Sequence, residues 1–364
     1  MNLLIDCHSF DSNFSQGVTT YIQGIYSILP KIAPDINFYF AANNIEKLIN
    51  IFGSEPNISY IPLNSKSKID RLLLLWPRLI KEYKIDVAHF QYISPLIKNC
   101  KTIVTTHDIL FLDYPQFFPT SYKLSKSYFF KRSAVNADLL CTVSDYSRER
   151  IAHHYNLDSK CILLTPNAVS NDFFCKINEI KTNSFDKYLL YVSRIEPRKN
   201  HIALINAFVR LKLYNEGYKL VFIGKETVPT PKLYELLNSL PIIQKREIIL
   251  LPQVSYKELI HYYKNASLFL YPSLAEGFGI PPIEAAVAGI PVICNNATAM
   301  SDFTFLGDNL IDFNDEDLLD RRIIKILEKT PENLKSIRDE VNLIYNWKTI
   351  SNNLYNEIKK RFYE

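Results

Sequence analysis

One segment of the chain combines glycines, prolines and glutamates in a spacing that could bind an anion: AEGFGIPPIEAAVAGIPVI, residues 275–293. The chain has only 9 glycines in 364 residues, yet Gly277, Gly279 and Gly289 all fall here. The two prolines suit the first turn of a helix, where amide hydrogens have no partner. A glycine loop that leads into a helix offers free N–H groups and the positive end of the helix dipole to a phosphate. An ordinary tight turn between a strand and a helix is the alternative.

Two carboxylates bracket this glycine loop, Glu276 before the predicted helix and Glu284 inside it. A carboxylate near a helix N-terminus can simply offset the helix dipole, an effect of about 0.3–1 kcal/mol. That explanation fits Glu284 better than Glu276. Carboxylates also accept hydrogen bonds from sugar hydroxyls. The pair therefore predicts a ligand that carries both hydroxyls and phosphate, and a nucleotide sugar is such a ligand.

A second cluster, YVSRIEPRKN, directly follows the predicted strand Tyr188–Val192. Its cations Arg194, Arg198 and Lys199 fall at the carboxyl end of a strand, where ligands bind in open α/β sheets. They could carry the charge of a departing diphosphate. A solvated surface cluster of charges is the alternative.

Together, SRIEPRKN and EGFGIPPIEAAVAG resemble the motifs of glycosyltransferase family 4, retaining enzymes of the GT-B fold. The stretches TIVTTHDILFLDYPQFFP, LLCTVSDYSRERIAHHY and ILLTPNAVSNDFF extend the resemblance over nearly the whole chain. The resemblance implies a hexosyltransferase that needs no metal or cofactor. It implies a nucleotide-sugar donor, with GDP, UDP or dTDP left open, and a glycan or lipid-linked oligosaccharide acceptor. The most similar-looking enzymes build surface polysaccharides such as O-antigen or capsule, often from GDP-mannose.

The resemblance also assigns roles to individual residues. Arg194 and Lys199 would hold the donor diphosphate and stabilise its departure, Glu276 would face the transferred sugar, and Glu284 would bind the ribose. His107 would lie near the donor sugar, and we count it with Arg194, Lys199 and Glu276 as catalytic; a buried structural histidine is the alternative. The further positions are the donor-binding amides around Gly277, Phe278, Gly279 and Ile280, the donor-binding Val254, and Gly17 in a loop that approaches the acceptor.

Other activities remain to be weighed against glycosyl transfer. A nucleotide-sugar epimerase of the same architecture would bind the donor and need no acceptor, and a non-catalytic protein could bind the donor alone. The string Asp315–Glu316–Asp317 fits the D-x-D metal motif of other glycosyltransferases, but acidic residues also favour the start of a helix. The first half contains no GxGxxG, which a dinucleotide-dependent dehydrogenase would need.

These residues must be positioned by strands and helices, and the pattern of short apolar runs between amphipathic segments predicts parallel α/β units. Two such series in tandem predict two Rossmann-like domains, which in the GT-B fold face each other across a cleft. We place an acceptor-binding domain at residues 1–175, joined by a C-terminal helix at 347–364 that crosses back to it. Residues 176–346 form the predicted donor-binding domain, and the polar stretch 175–187 is the predicted linker. The predicted strands are Leu3–Ile5, Phe38–Ala41, Val87–Phe90, Thr102–Thr106, Leu139–Val143, Tyr188–Val192, Leu220–Ile223, Ile248–Leu251, Leu268–Tyr271 and Pro291–Cys294.

Composition narrows the setting in which the protein works. The net charge of +4 and the absence of long like-charge blocks argue against nucleic-acid binding. The 6 cysteines form no CxxC pair, and the N-terminus lacks the features of a signal peptide, so we expect a cytoplasmic protein. No apolar run approaches the ~20 residues of a membrane span. Attachment to a membrane surface remains compatible with a basic group on one predicted helix, which could touch anionic lipid or a polyanionic acceptor or could simply be solvated: Lys123, Lys126, Lys131 and Arg132.

Overall fold

The computed structural model describes residues 1–12, 17–65, 67–179 and 187–363. The chain divides into two compact units, one formed by Met1–Ala168 with Asn346–Glu364 and the other by Val169–Tyr345. Each unit is an α/β domain built on a parallel sheet, as predicted for Rossmann-like domains.

The first unit contains a sheet whose strands follow the order β3-β2-β1-β4-β5-β6-β7 in the described residues. All of its strand pairs are parallel, because helices return the chain across the faces of the sheet. The strands are β1 Asn2–Asp6, β2 Asn37–Ala42, β3 Ile58–Pro62, β4 Val87–Gln91, β5 Lys101–Thr105, β6 Leu139–Thr142 and β7 Ile162–Leu164. The helices are α1 Gly17–Tyr26, α2 Leu29–Ile32, α3 Ile45–Phe52, α4 Lys68–Asp70, α5 Trp76–Glu82, α6 Leu110–Asp113, α7 Thr120–Val135 and α8 Asp145–Tyr155, with a π-helical turn Arg71–Leu75 between α4 and α5.

The second unit contains a parallel sheet with the order β10-β9-β8-β11-β12-β13 in its described part. Its strands are β8 Tyr188–Val192, β9 Lys219–Ile223, β10 Ile248–Leu251, β11 Leu268–Tyr271, β12 Val292–Asn295 and β13 Leu310–Ile311. Its helices are α9 Asn171–Glu179, α10 His201–Arg210, α11 Pro231–Ser239, α12 Ile242–Lys245, α13 Tyr256–Asn265, α14 Ile280–Ala288, α15 Glu316–Glu328 and α16 Leu334–Ile344.

The predicted linker at 175–187 is wrong for its first five residues, which lie inside α9. This helix belongs to the second unit because its buried Phe173 packs against Tyr263 of α13, with ring centroids 5.5 Å apart. The division between the units therefore falls after Ala168, earlier than the sequence placed it. Residues 180–186 lie outside the described part of the chain.

The C-terminal helix α17, Trp347–Phe362, returns to the first unit, as predicted. Its buried Trp347 packs directly on Gly24 of α1, where a Cβ atom would lie 2.2 Å from the indole ring. Only glycine lets the two helices approach this closely. Ser351 adds a hydrogen bond from its hydroxyl to the carbonyl of Ile25 at 3.2 Å.

Candidate active site

The second sheet has a topological switch point between β8 and β11. From β8 the strand order runs through β9 to β10 on one side, and from β11 through β12 to β13 on the other. Ligands of open α/β sheets bind outside the carboxyl ends of the strands at such a point. The segments that leave these two strands, residues 193–200 and 272–279, contain the predicted cationic cluster and the start of the predicted glycine loop.

Glu276 is the centre of the polar contacts at this switch point. Its side chain is buried, and its Oε1 accepts hydrogen bonds from the ammonium of Lys199, the hydroxyl of Tyr271 at 3.0 Å and the hydroxyl of Ser273 at 2.6 Å. Its Oε2 accepts from Nη1 of Arg198 at 3.0 Å. This is the only protein donor to Oε2 within the described residues, so the oxygen retains capacity for a ligand hydroxyl.

The charge state of Glu276 follows from these contacts. Burial alone would raise the pKa of its carboxyl, but the charges of Lys199 and Arg198 outweigh burial and hold the pKa well below its usual range. Burial lowers the pKa of Lys199, and the charge of Glu276 opposes that shift. A carboxylate with four donors around it must be ionised, because a protonated carboxyl would present its own donor to them. The site therefore contains a fixed, buried negative charge.

Arg198 fixes the loop that carries Glu276. Its Nη1 also donates to the carbonyl of Ala275 at 2.5 Å, and its Nη2 forms an ion pair with Glu196 at 2.6 Å. The carbonyl of Arg198 accepts from the amide of Leu274 at 2.8 Å. Sequence reasoning counted Arg198 among the cations that could carry the charge of a departing diphosphate, since spacing alone does not tell which arginine turns back toward the glycine loop.

Arg194 has a different environment from Arg198. Its side chain is exposed and makes no hydrogen bond or ion pair with the described residues. The backbone just before Arg194 packs closely against Gly224, a contact that the sequence gave no reason to expect. Gly224 has a φ of +147°, and a Cβ atom at this residue would lie 1.9 Å from the carbonyl oxygen of Ser193. The guanidinium of Arg194 thus remains available to an anion at the carboxyl end of β8.

The glycine loop opens α14 as the sequence predicted. Gly279 is the N-cap in the left-handed region with a φ of 104°, and Pro281 lies in the first turn. The helix ends at Gly289, which has a φ of 79°. The side chain of Phe278 is buried against Phe303, with ring centroids 5.7 Å apart, so only its backbone remains available to a ligand. The backbone amides around Gly277 and Ile280 lie at this N-terminal end of α14.

Glu284 lies on α14, one turn inside the helix. Its Oε2 accepts a hydrogen bond from the hydroxyl of Tyr263 at 2.7 Å. Burial raises the pKa of Glu284, and the Tyr263 hydroxyl opposes that shift. Its Oε1 has no hydrogen-bond partner among the residues that the structure describes. A half-satisfied carboxylate at this depth is suited to accept from a hydroxyl pair.

Comparison with known proteins identifies the family. Residues 175–341 match the family described as glycosyl transferases group 1, and residues 43–173 match Glycosyltransferase Family 4. The chain is 30% identical over 315 residues to the O-antigen chain mannosyltransferase RfbU of Salmonella typhimurium, covering 82% of this chain and 83% of that protein. The chain belongs to glycosyltransferase family 4. As a family member it takes a nucleotide-sugar donor and a glycan acceptor.

A further relative and a solved structure are also similar to this chain. The chain is 28% identical over 274 residues to the O-antigen chain mannosyltransferase B of Escherichia coli, which is 71% of each chain. The solved structure of sucrose-phosphate synthase from Thermosynechococcus elongatus superposes with a TM-score of 0.76 at 17% identity, covering 100% of this chain and 99% of that one. This likeness confirms the predicted GT-B architecture.

In this family 4 enzyme, His107 is a buried, neutral side chain of the first unit. It follows β5 and packs between the rings of Tyr21 and Tyr92, with centroids 4.9 and 5.2 Å from its own. Burial lowers the pKa of His107 to about 3. Its Nε2 lies 2.8 Å from Oε1 of Gln91, an oxygen that can only accept, so this nitrogen carries the proton. The other nitrogen, Nδ1, is left with an acceptor lone pair.

The remaining predicted positions lie at the ends of elements. Val254 is partly exposed in the loop after β10, directly before Ser255, which caps α13. Gly17 is exposed at the first residue of α1, and residues 13–16 before it lie outside the described part of the chain. Val254 thus follows a strand of the second sheet, and Gly17 begins the helix that follows β1 of the first sheet.

The D-x-D string of the family 4 enzyme starts a helix. Asp315 is the N-cap of α15 and accepts a hydrogen bond from the amide of Leu318 at 2.9 Å. Glu316 forms an ion pair with Arg210 at 3.0 Å. These contacts give the acidic residues the helix-starting role that the sequence offered as the alternative to a metal site.

Among the described residues, no helix is long and apolar enough to cross a membrane.

Proposed function

We propose that this enzyme transfers mannose from GDP-mannose, with retention of anomeric configuration and without a metal, onto a lipid-linked oligosaccharide of a surface polysaccharide. The observation that carries the proposal is the buried, ionised Glu276, whose Oε2 accepts one hydrogen bond from Arg198 and can accept another from a ligand hydroxyl beside the glycine loop of α14. The choice of mannose and of an O-antigen-type acceptor rests on the similarity to the O-antigen chain mannosyltransferases RfbU and B.

Glu276 is proposed to bind a hydroxyl of the transferred sugar. A carboxylate held by four donors cannot rotate, so its free lone pairs point in a fixed direction before the donor arrives. Because the carboxylate is already oriented, it needs no further reorganisation during the reaction step. The neighbouring Lys199 reaches the same point from the β8 side and is available to the diphosphate once the donor is bound.

The departing nucleoside diphosphate is proposed to be stabilised by three groups. These are the exposed guanidinium of Arg194, the ammonium of Lys199 and the backbone amides of the loop Gly277–Ile280. Positive charge and oriented N–H groups at a helix N-terminus offset developing phosphate charge without a metal. The diphosphate can then accept the proton of the acceptor hydroxyl, which gives front-side substitution with retention.

The nucleoside is proposed to be held by Glu284, whose free oxygen accepts from the ribose hydroxyls while Tyr263 fixes the other oxygen. Val254 is proposed to contact the same nucleoside. In the first unit, His107 is proposed to make a polar contact with the sugar through Nδ1, and Gly17 to border the acceptor.

Nucleotide binding in EDTA tests the donor assignment. Thermal unfolding is followed with GDP, UDP, dTDP and ADP, because a ligand at about 100 times its dissociation constant adds about 2.7 kcal/mol to the free energy of unfolding. We expect GDP to stabilise the wild type and the control Glu235→Gln, an exposed change on α11, but not Glu284→Gln. Stabilisation by another base would correct the donor. A response that needs restored Mg²⁺ would overturn the metal-independent site.

Product analysis separates transfer from the epimerase alternative. Purified enzyme is incubated with GDP-mannose, with and without a mannose-ended oligosaccharide, and the products are resolved by chromatography. We expect GDP release that depends on the acceptor. Formation of a changed nucleotide sugar without acceptor would instead indicate an epimerase.

A further inference from the structure

Thr298, in the short helical turn that follows β12, has a backbone conformation that is unusual for its residue type. Its φ is 51°, in the left-handed region, where it is the one β-branched residue within the described part of the chain. A side chain branched at Cβ is strained there. Such strain persists only where other contacts enforce it, and it concentrates at functional sites. The contacts of Thr298 must therefore compensate for a strain that glycine would avoid.

The side chain of Thr298 reaches the backbone of Glu276. Both residues are buried, and the hydroxyl oxygen of Thr298 accepts a hydrogen bond from the amide of Glu276 at 2.9 Å. The hydroxyl hydrogen is donated the other way, to Sδ of Met300 at 3.9 Å. The lone pairs of the oxygen are thus left to face the amide. Without this hydroxyl, a buried N–H group would lose its partner.

The backbone after Thr298 makes a second contact with the same residue. The amide of Ala299 donates to the carbonyl of Glu276 at 3.4 Å. Asn295, at the end of β12, adds a hydrogen bond from its side-chain amide to the carbonyl of Ser273 at 2.9 Å. The segment after β12 thus holds the loop after β11 at both polar groups of the Glu276 backbone.

Glu276 is consequently held from two sides. Lys199 and Arg198 fix its carboxylate from the β8 side, and Thr298 fixes its backbone from the β12 side. A carboxylate keeps its direction only if the backbone that carries it is also held, because a shift of the backbone carries the side chain with it. Glycine at position 298 would adopt the same φ without strain but has no hydroxyl. The threonine therefore has the property that the strain-free residue lacks.

We propose that Thr298 is a positioning residue for the transferred sugar. Its hydroxyl anchors the amide of Glu276 and thereby directs the carboxylate toward a sugar hydroxyl. This inference rests on the proposed contact between Glu276 and the sugar. Thr298 itself is assigned no contact with the reacting atoms and acts through Glu276. Loss of the hydroxyl should therefore lower the rate of transfer, whereas relief of the backbone strain should not.

Three substitutions separate the hydroxyl from the strain. Thr298→Ser keeps the hydroxyl, Thr298→Val keeps the β-branch without the hydroxyl, and Thr298→Gly removes both. We expect kcat/KM with GDP-mannose and a mannose-ended oligosaccharide to fall at least about fivefold in Thr298→Val and Thr298→Gly, the equivalent of one hydrogen bond, but not in Thr298→Ser. Thr298→Gly should nevertheless melt about 2–4 °C above Thr298→Val, because its backbone is unstrained. The exposed control Thr304→Val should change neither quantity.

Hydrogen exchange gives a readout that needs no donor. The amide of Glu276 should exchange at least about fivefold faster in Thr298→Val and Thr298→Gly than in wild type, because its acceptor is gone. In Thr298→Ser the amide should stay protected. Unchanged exchange in the variants without a hydroxyl would overturn the proposal, whatever sugar the enzyme transfers.

GDP binding, measured by calorimetry, separates positioning from general damage to the loop. GDP lacks the sugar that Glu276 is proposed to contact, so all three variants should bind it like wild type. Transfer rates that follow the melting temperature rather than the hydroxyl, or an equal loss of GDP binding, would make the role of Thr298 structural only and overturn the proposal. If the wild type neither binds GDP nor uses GDP-mannose, the proposed donor is wrong, and exchange at Glu276 still decides the anchoring.

Discussion

Lys199 and Glu276 form a buried ion pair that joins the loop after β8 to the loop after β11. Neither side chain is more than 10% exposed. A buried pair is weak evidence for stability, because removing two charges from water costs about as much as their attraction returns. Its value here is positional: the pair fixes the glycine loop relative to the cationic segment before any donor binds. Removing one partner should therefore cost far more than removing both.

A double-mutant cycle on this pair should show strong coupling. Lys199→Met leaves Glu276 short of a counter-charge and should lower the free energy of unfolding by about 3 kcal/mol. Adding Glu276→Gln removes the unpaired charge and should recover at least half of that loss. Urea unfolding of both single variants, the double variant and the exposed control Lys232→Met measures the cycle. Additive losses would mean that the two side chains act independently.

Arg198 and Arg194 should separate stability from donor binding. Arg198→Lys loses the fork that reaches Ala275, Glu276 and Glu196, and we expect about 1–3 kcal/mol less stability. Arg194→Lys touches no described partner and should leave stability within about 0.5 kcal/mol of wild type. The Arg194→Lys variant should nevertheless bind a nucleoside diphosphate more weakly than wild type, and titration calorimetry measures the two dissociation constants. Equal effects of both changes on stability would contradict the distinct environments.

The elements that could be predicted from the sequence are those with a strong apolar pattern. The central strands β8 and β11 are buried between layers of helices, so their residues form continuous apolar runs. The missed strands β3, β7 and β13 are short or half-buried strands at sheet edges, where the pattern is weak. Burial of a helix such as α9 depends on Tyr263, ninety residues away, which no local pattern encodes.

The candidate site shows the same limit. Glycine and proline restrict the local backbone, and the two glutamates flank the loop, so the start of α14 at Gly279 could be predicted from the sequence. The partners of Glu276 could not, because they combine residues from three places in the chain: Arg198 and Lys199 after β8, Tyr271 at the end of β11, and Ser273 beyond it. Which cation reaches the carboxylate is decided by the folded loops rather than by spacing.

Nucleotide affinity should fall on acidification because of Glu284. Burial raises the pKa of this carboxyl above its usual value, so its protonated form appears at a higher pH than for an exposed glutamate. The protonated carboxyl loses acceptor capacity for the ribose hydroxyls. Titrations over a pH series should show weaker binding as the pH falls through this raised pKa, and Glu284→Gln should flatten the dependence. Tyr263→Phe removes a hydrogen bond that opposes the shift and should move the loss to higher pH.

Buried histidines should make the protein sensitive to mild acid. Burial lowers the pKa of His201 to about 3, and His89 and His107 are depressed to the same value. Below about pH 6.5 the unfolded chain binds protons that these folded side chains refuse, so stability falls with pH. Each of the three histidines should lower the free energy of unfolding by about 1.4 kcal/mol as the pH falls from about 7.5 to about 5.5. His201→Phe should reduce the fall measured by urea unfolding by that amount, and an unchanged slope would refute its depressed pKa.

The contact between Gly24 and Trp347 makes the strongest prediction for the C-terminal helix. A methyl group at residue 24 would lie 2.2 Å from the indole carbons of a buried ring, so Gly24→Ala must displace α17 from α1. We expect a loss of at least about 2–3 kcal/mol in the free energy of unfolding, against a small gain for an unobstructed helical glycine. Gly17→Ala is the matched control for stability, because no atom lies within 4 Å of its added Cβ. Trp347→Leu should recover part of the loss in the Gly24→Ala background while destabilising the wild type, because the smaller side chain leaves room for the methyl group. If Gly24→Ala were as stable as Gly17→Ala, α17 would not pack on α1 as described.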